Sequence, residues 1–222
     1  MKLIRTHCVM ALLAALTAAS SVQAYPLDGY EDTGIRRVEG ARLAHEGLAK
    51  GGFQPPGAQL PTEQVDIRLS AYPAFTPPSA DAEFSARVGD MLGEHADRYG
   101  MMVLDLTDPE QPRLADHRGD YRQNVGSVGK LLSALGFFQA LADTWPDDLD
   151  KRESILRDTI MTADNFSVSD HHTIRLFNVE TRELTRRPMA IGDQGSVWEF
   201  LDWMLSVSSN SAGSMMMREA ML

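Results

Sequence analysis

The 222-residue chain carries 31 Asp and Glu against 21 Lys and Arg, a formal net charge of −10. An acidic surface of this kind repels nucleic acid and anionic lipid, and no basic stripe offsets it, so nucleic-acid binding is excluded. The length suits one well-buried domain, the single cysteine excludes a disulfide framework, and no internal repeat is found.

Residues 1–24 read as a cleavable signal peptide. Lys2 and Arg5 give a positive start, Val9 to Ala19 is almost wholly apolar, and Val22-Gln23-Ala24 supplies small residues for cleavage after Ala24. The apolar run is too short to anchor in a bilayer. The expectation is a periplasmic or secreted protein with no integral membrane segment after cleavage. Cys8 precedes the apolar run and leaves with it, as do two cations, so the mature chain is more acidic still.

Residues 25–79 read as a Pro-rich, largely extended segment. One weakly helical piece lies around Gly40 to Lys50, and alternating Val65, Ile67 and Leu69 suggest a short strand. The domain proper is expected over 80–222, opening on a helix capped by Ser79. Phe84, Val88, Met91 and Leu92 recur at helical steps and predict one buried face ending near Tyr99-Gly100. Met101 to Leu106 reads as a strand, Asp108-Pro109-Glu110 as a turn, and Leu114 to His117 as the returning hairpin strand.

From Gly126 the pattern turns helical. Val128, Leu131, Leu132, Leu135, Phe137, Phe138 and Leu141 leave almost no polar face, which predicts a core helix. Asp150 to Met161 reads as a surface helix and Ala163 to Asp193 as a long irregular excursion. Ser196 and Glu199 form a capping-box pattern that opens a helix through Leu205. Ser206 to Asn210 interrupts, and a last helix begins near Ser211. The sequence stops at Leu222 inside that helix, without a cap, as a fragment would.

Within the apolar helix stand a serine and a lysine, Ser127 and Lys130. An ammonium there is costly unless paired or neutral, and a neutral amine is a proton acceptor. Residues three apart on a helix face the same side, so the two side chains can meet. A hydroxyl with an adjacent base, beside the free N–H groups of a helix start, is what nucleophilic acyl transfer requires. The pair alone is weak evidence: such spacing arises about once by chance in a chain this long. Lys130 snorkelling to the helix edge would explain it equally. Ser208-Ser209-Asn210 adds weight, because a polar turn held between two apolar helices can aim a hydroxyl and an amide into a cleft.

Together these stretches resemble the serine β-lactamases and penicillin-binding proteins (D-Ala-D-Ala peptidases). Gly126 to Leu132 is similar to their S-x-x-K motif, and Gly195 to Met221 to the segment carrying their second motif, usually S-D-N. Helix, hairpin, then S-x-x-K helix is also the family's order. The resemblance implies an α+β fold, an antiparallel sheet flanked by helices plus a helical lobe, incomplete here at the C-terminus. It implies Ser127 as the acylated nucleophile, Lys130 as its base, Ser208 as a second proton shuttle and Asn210 as the substrate-amide binder. The substrate would be a small molecule such as a β-lactam, or a peptidoglycan peptide; no metal or organic cofactor is needed.

Two departures bear on this. Ser209 stands where class A β-lactamases commonly carry aspartate. No K-T-G or K-S-G tripeptide follows Asn210, and Lys50-Gly51-Gly52 lies on the wrong side of the nucleophile. The expectation is therefore that this piece alone hydrolyses little. The rival reading is a non-catalytic envelope protein that keeps the fold to bind peptidoglycan. Other constellations read as structural: Asp170-His171-His172 as a solvent-facing loop with no metal, Met215-Met216-Met217 and the tryptophans as packing, and Asp147-Asp148 as an exposed helix start.

Overall fold

The computed structural model describes residues 28–50, 68–167 and 170–221. The signal-peptide reading and the strand expected at Val65 and Ile67 lie outside them, and Leu69 falls in a 3-10 turn, Arg68–Ala71. The chain divides into two units, one within Asp66–Gly126 and the other within Met1–Val65 and Ser127–Leu222. Both combine helices with antiparallel strand pairs, the mixed character expected, although the sequence reading placed a hairpin in the first unit and none in the second.

Taking the helices and strands in chain order, α1 is Gly29–Thr33 and α2 is Arg36–His45. Within the 66–126 unit, α3 spans Ala82–Leu92. Its cap is Asp81, two residues later than the expected Ser79, because the Asp81 carboxylate accepts the Phe84 N–H at 2.9 Å. A 3-10 turn, Gly93–Arg98, carries the chain to β1, Met101–Asp105, which pairs antiparallel with β2, Arg113–His117. The predicted hairpin is therefore present. α3 packs on β2: Val88, Leu114 and Ala115 are buried, and the Asp116 N–H donates to Ser85 Oγ at 3.0 Å. Met91, expected on the buried face, is instead exposed.

In the larger unit, α4 is Lys130–Thr144, preceded by a 3-10 turn over Gly126–Gly129; α5 is Leu149–Asp158. Met161, expected at the end of α5, belongs to β3, Ile160–Thr162. The expected irregular excursion contains a hairpin, β4 Ile174–Asn178 with β5 Glu183–Arg187. β6, Gln194–Ser196, pairs with β3 and runs directly into α6, Val197–Ser206. α7 is Asn210–Glu219. The capping box forms as predicted, with Ser196 and Glu199 exchanging hydrogen bonds at 3.2 Å.

Phe200, Leu201, Trp203 and Met204 of α6 and Ala212, Met215 and Met216 of α7 form the centre of the core. Phe137 and Leu141 of α4, Leu156 of α5 and Ile174 of β4 surround them. Residues 36–45 dock on this body: α2 packs against β4, Arg36 pairs with Glu199 at 2.8 Å, and Arg37 pairs with Asp202. The core-helix expectation for α4 needs correction. Ala134, Phe137 and Leu141 are buried, but Leu131, Leu132 and Leu135, like Val128 in the preceding turn, are each more than half exposed, so α4 buries a stripe and leaves an apolar face bare.

Candidate functional site

Lys130 is the first residue of α4, and its amine is the meeting point of the site. Nζ lies 3.0 Å from Ser127 Oγ, one turn earlier in the 3-10 segment. It also lies 2.7 Å from the Ser208 carbonyl oxygen, 3.0 Å from Ser208 Oγ and 2.7 Å from Asn210 Oδ1. All four residues singled out from the sequence thus converge on one nitrogen. Ser127 is exposed, while Lys130, Ser208 and Asn210 are half-buried. Gly213, one turn into α7, lets the lysine stem pass: an added Cβ would stand 3.4 Å from Lys130 Cε. A side chain that crosses a helix this closely cannot also snorkel to the helix edge.

The corner holding Ser208 and Asn210 is built by the junction of two buried helices. The Ser209 N–H donates to the Trp203 carbonyl at 3.0 Å, and Ser209 Oγ accepts the Ala212 N–H at 3.2 Å, capping α7. Between them Ser208 takes φ of +60°, the left-handed region. Its carbonyl is thereby turned to the lysine beside its own hydroxyl. Strain of this kind persists only where flanking structure enforces it, and here the buried Trp203, Met204, Ala212 and Met215 do so.

The largest correction concerns Asp170. The loop expected to face solvent buries this carboxylate, whose side chain is only 1% exposed. Oδ2 accepts the Ser209 hydroxyl at 3.0 Å, the Asn210 N–H at 2.5 Å and the Ser211 N–H at 3.3 Å. Oδ1 meets His172 Nδ1 at 2.6 Å and accepts the His172 N–H at 3.1 Å and the Asn210 side-chain amide at 3.3 Å. Burial by itself would raise the pKa, but the hydrogen bonds from His172, Asn210 and Ser209 outweigh it and hold the carboxyl well below the usual range. Sequence reasoning missed this residue. The one available signal was an acidic group beside two histidines, which the sequence reading set aside as a solvent-facing loop.

The three side chains do lie close together, but with the carboxylate held in hydrogen bonds. Asp170, His171 and His172 bring ligand atoms within 4.8 Å of one another. Both carboxylate oxygens are already occupied by N–H and O–H groups, and a cation between Asp170 and His172 would have to break their 2.6 Å contact. Met215 and Met216 are fully buried core residues and Met217 is exposed; Trp203 is buried and donates Nε1–H to the Arg175 carbonyl at 3.2 Å. Asp148 caps α5 through the Lys151 N–H at 2.8 Å. Among the described residues, no helix is long and apolar enough to cross a membrane. Comparison with protein-family models, with curated proteins and with solved structures finds no match.

Proposed function

We propose that the chain is an exported, periplasmic or secreted serine acyl-hydrolase of the β-lactamase and penicillin-binding-protein kind, with that family's antiparallel-sheet and helical-lobe fold. It forms an acyl-enzyme on Ser127 with a β-lactam or a D-alanyl peptide-type amide. The observation that carries this reading is the convergence of two hydroxyls and an amide on Lys130 Nζ, drawn from positions up to 80 residues away from it. A solvated surface lysine has no reason to collect such partners.

Acyl transfer requires Lys130 in its amine form, and the four oxygens around it accommodate that form. An ammonium has three protons and no acceptor, yet four oxygens surround Nζ. The carbonyl oxygens of Ser208 and Asn210, both at 2.7 Å, can only accept. The hydroxyls of Ser127 and Ser208, both at 3.0 Å, can accept or donate. In the amine form, two N–H groups satisfy the carbonyls and the lone pair takes a hydroxyl proton.

Acylation then runs through one nitrogen. Ser127 Oγ attacks the substrate carbonyl while its proton passes to Lys130 Nζ. The tetrahedral intermediate collapses, the C–N bond breaks, and the leaving nitrogen takes a proton from Ser208 Oγ, which Lys130 replaces. Ser127 is left as an ester and Lys130 as an amine. Release of the acid by water is the step this piece alone performs little of, so the ester on Ser127 is the species to look for.

The test is incubation with excess fluorescent penicillin followed by peptide mass mapping. The expected result is one adduct on the Ser127 peptide, absent in Ser127→Ala and formed about 10²- to 10⁴-fold more slowly in Lys130→Ala. No adduct on the unaltered protein, or an adduct that survives Ser127→Ala, overturns the proposal. Absence of an adduct with peptidoglycan retained equally by Ser127→Ala would instead establish the binding protein.

A further inference from the structure

We infer that Asp170 is the positioning residue of this site, setting the orientation of Asn210 and through it the seat of Lys130. The inference rests on the acyl-transfer reading for its consequence in rate, but its geometry stands apart from that reading. A carboxylate with its side chain 1% exposed is costly unless its lone pairs are filled, and donors from three successive residues, Ser209, Asn210 and Ser211, fill one oxygen. These contacts fix where α7 begins. The decisive contact is made by the Asn210 side-chain nitrogen: Nδ2 donates to Asp170 Oδ1 at 3.3 Å, so Oδ1 of the amide is the end left to face Lys130, at 2.7 Å. A carboxylate accepts only, so the amide cannot flip while Asp170 is ionised. Carboxylate, amide and amine thus form one line in which each group dictates the orientation of the next.

His172 is the brace behind Asp170. Its ring nitrogen at 2.6 Å and its backbone N–H at 3.1 Å meet the same Oδ1 that accepts the Asn210 amide. Ser209, where the resembling enzymes place an aspartate, receives its carboxylate here from a residue 39 positions upstream. The acidic function is met by a different part of the chain.

The chain's four lysines make this measurable without turnover. Label the lysine ε-carbons with ¹³C in the full chain, and assign Lys130 by the signal lost in Lys130→Met. Asp170→Asn, checked for folding by circular dichroism, is expected to move the Lys130 signal toward that of Lys151, whose side is exposed, and to leave the Lys151 signal in place. Amide exchange at Asn210 and Ser211 should quicken by at least about tenfold, and penicillin labelling of Ser127 should slow about 100-fold. A role in stability alone would lower the melting temperature without moving the Lys130 signal below it. Should Asp170→Asn fail to fold, His172→Ala tests the brace and is expected to shift the Lys130 signal in the same direction by less. An unmoved Lys130 signal in a folded variant overturns the inference. Failure of the unaltered protein to label removes the acyl-transfer reading and leaves the positional test intact.

Discussion

Ser208 shows at the scale of one residue how a site can oppose local preference. Its φ of +60° places a Cβ where an L residue loses about 1–2 kcal/mol, a cost that glycine does not bear. Ser208→Gly is therefore expected to melt at a higher temperature than Ser208→Ala, by the equivalent of about 1 kcal/mol, although both lose the hydroxyl that faces Lys130. Equal melting temperatures would show that the backbone is unstrained. The Asp170 carboxyl gives a pH prediction with a definite sign. Its folded pKa is depressed, so its contribution is complete above the ordinary carboxylate value of about 4 and disappears as pH falls toward the folded value. Denaturant melts between pH 5 and 2 should show a shallower loss of stability in Asp170→Asn than in the unaltered protein. The legibility of the site divides along the same line. Ser127 and Lys130 could be read because three residues of spacing is a local property, and Ser208 and Asn210 because a polar turn interrupts two apolar runs. Asp170 could not: it joins Asn210 across 40 positions, and nothing in its own neighbours signals the helix it caps.

At the scale of elements, Glu199 does two jobs. It completes the capping box of α6 and takes both Nε–H and Nη2–H of Arg36, each at 2.8 Å. The capping half was visible in the sequence as Ser196 and Glu199, whereas the arginine lies on a helix the sequence placed several residues too late. The β4–β5 hairpin was hidden for a related reason. Ile174 and Phe177 are both buried though they project to opposite faces, so the strand lacks a clean alternation, and β5 is polar throughout except for Leu184. The α2–β4 packing depends on a glycine. A Cβ on Gly40 would lie 2.6 Å from the Phe177 ring, and Gly40→Ala is expected to cost about 1–3 kcal/mol in chemical denaturation. Arg37→Met should cost more, about 3–5 kcal/mol, since it leaves the Asp202 carboxylate buried without its partner. A loss below 1 kcal/mol would mean that α2 contributes little to the stability of the larger unit.

Across the molecule, the bare face of α4 is the feature that burial of apolar side chains least explains. Leu131, Leu132 and Leu135 of the helix that also carries the amine, and Val128 in the turn before it, are 60–70% exposed. Contiguous apolar surface of this kind binds hydrophobic dyes. The folded protein is expected to enhance anilinonaphthalene sulfonate fluorescence, and Leu132→Glu with Leu135→Lys should lower that signal while changing stability by no more than about 0.5 kcal/mol. The division into units carries a different consequence, for biogenesis. Arg36 and Arg37 find their carboxylates 163 and 165 residues further along the chain. At ordinary synthesis rates of about 5–20 residues per second, the first helices wait roughly 8–30 s for those partners to be made. The β1–β2 hairpin and its helix need only neighbours already translated. Nascent chains stalled ahead of residue 194 should accordingly present a protease-resistant middle and a cleavable beginning.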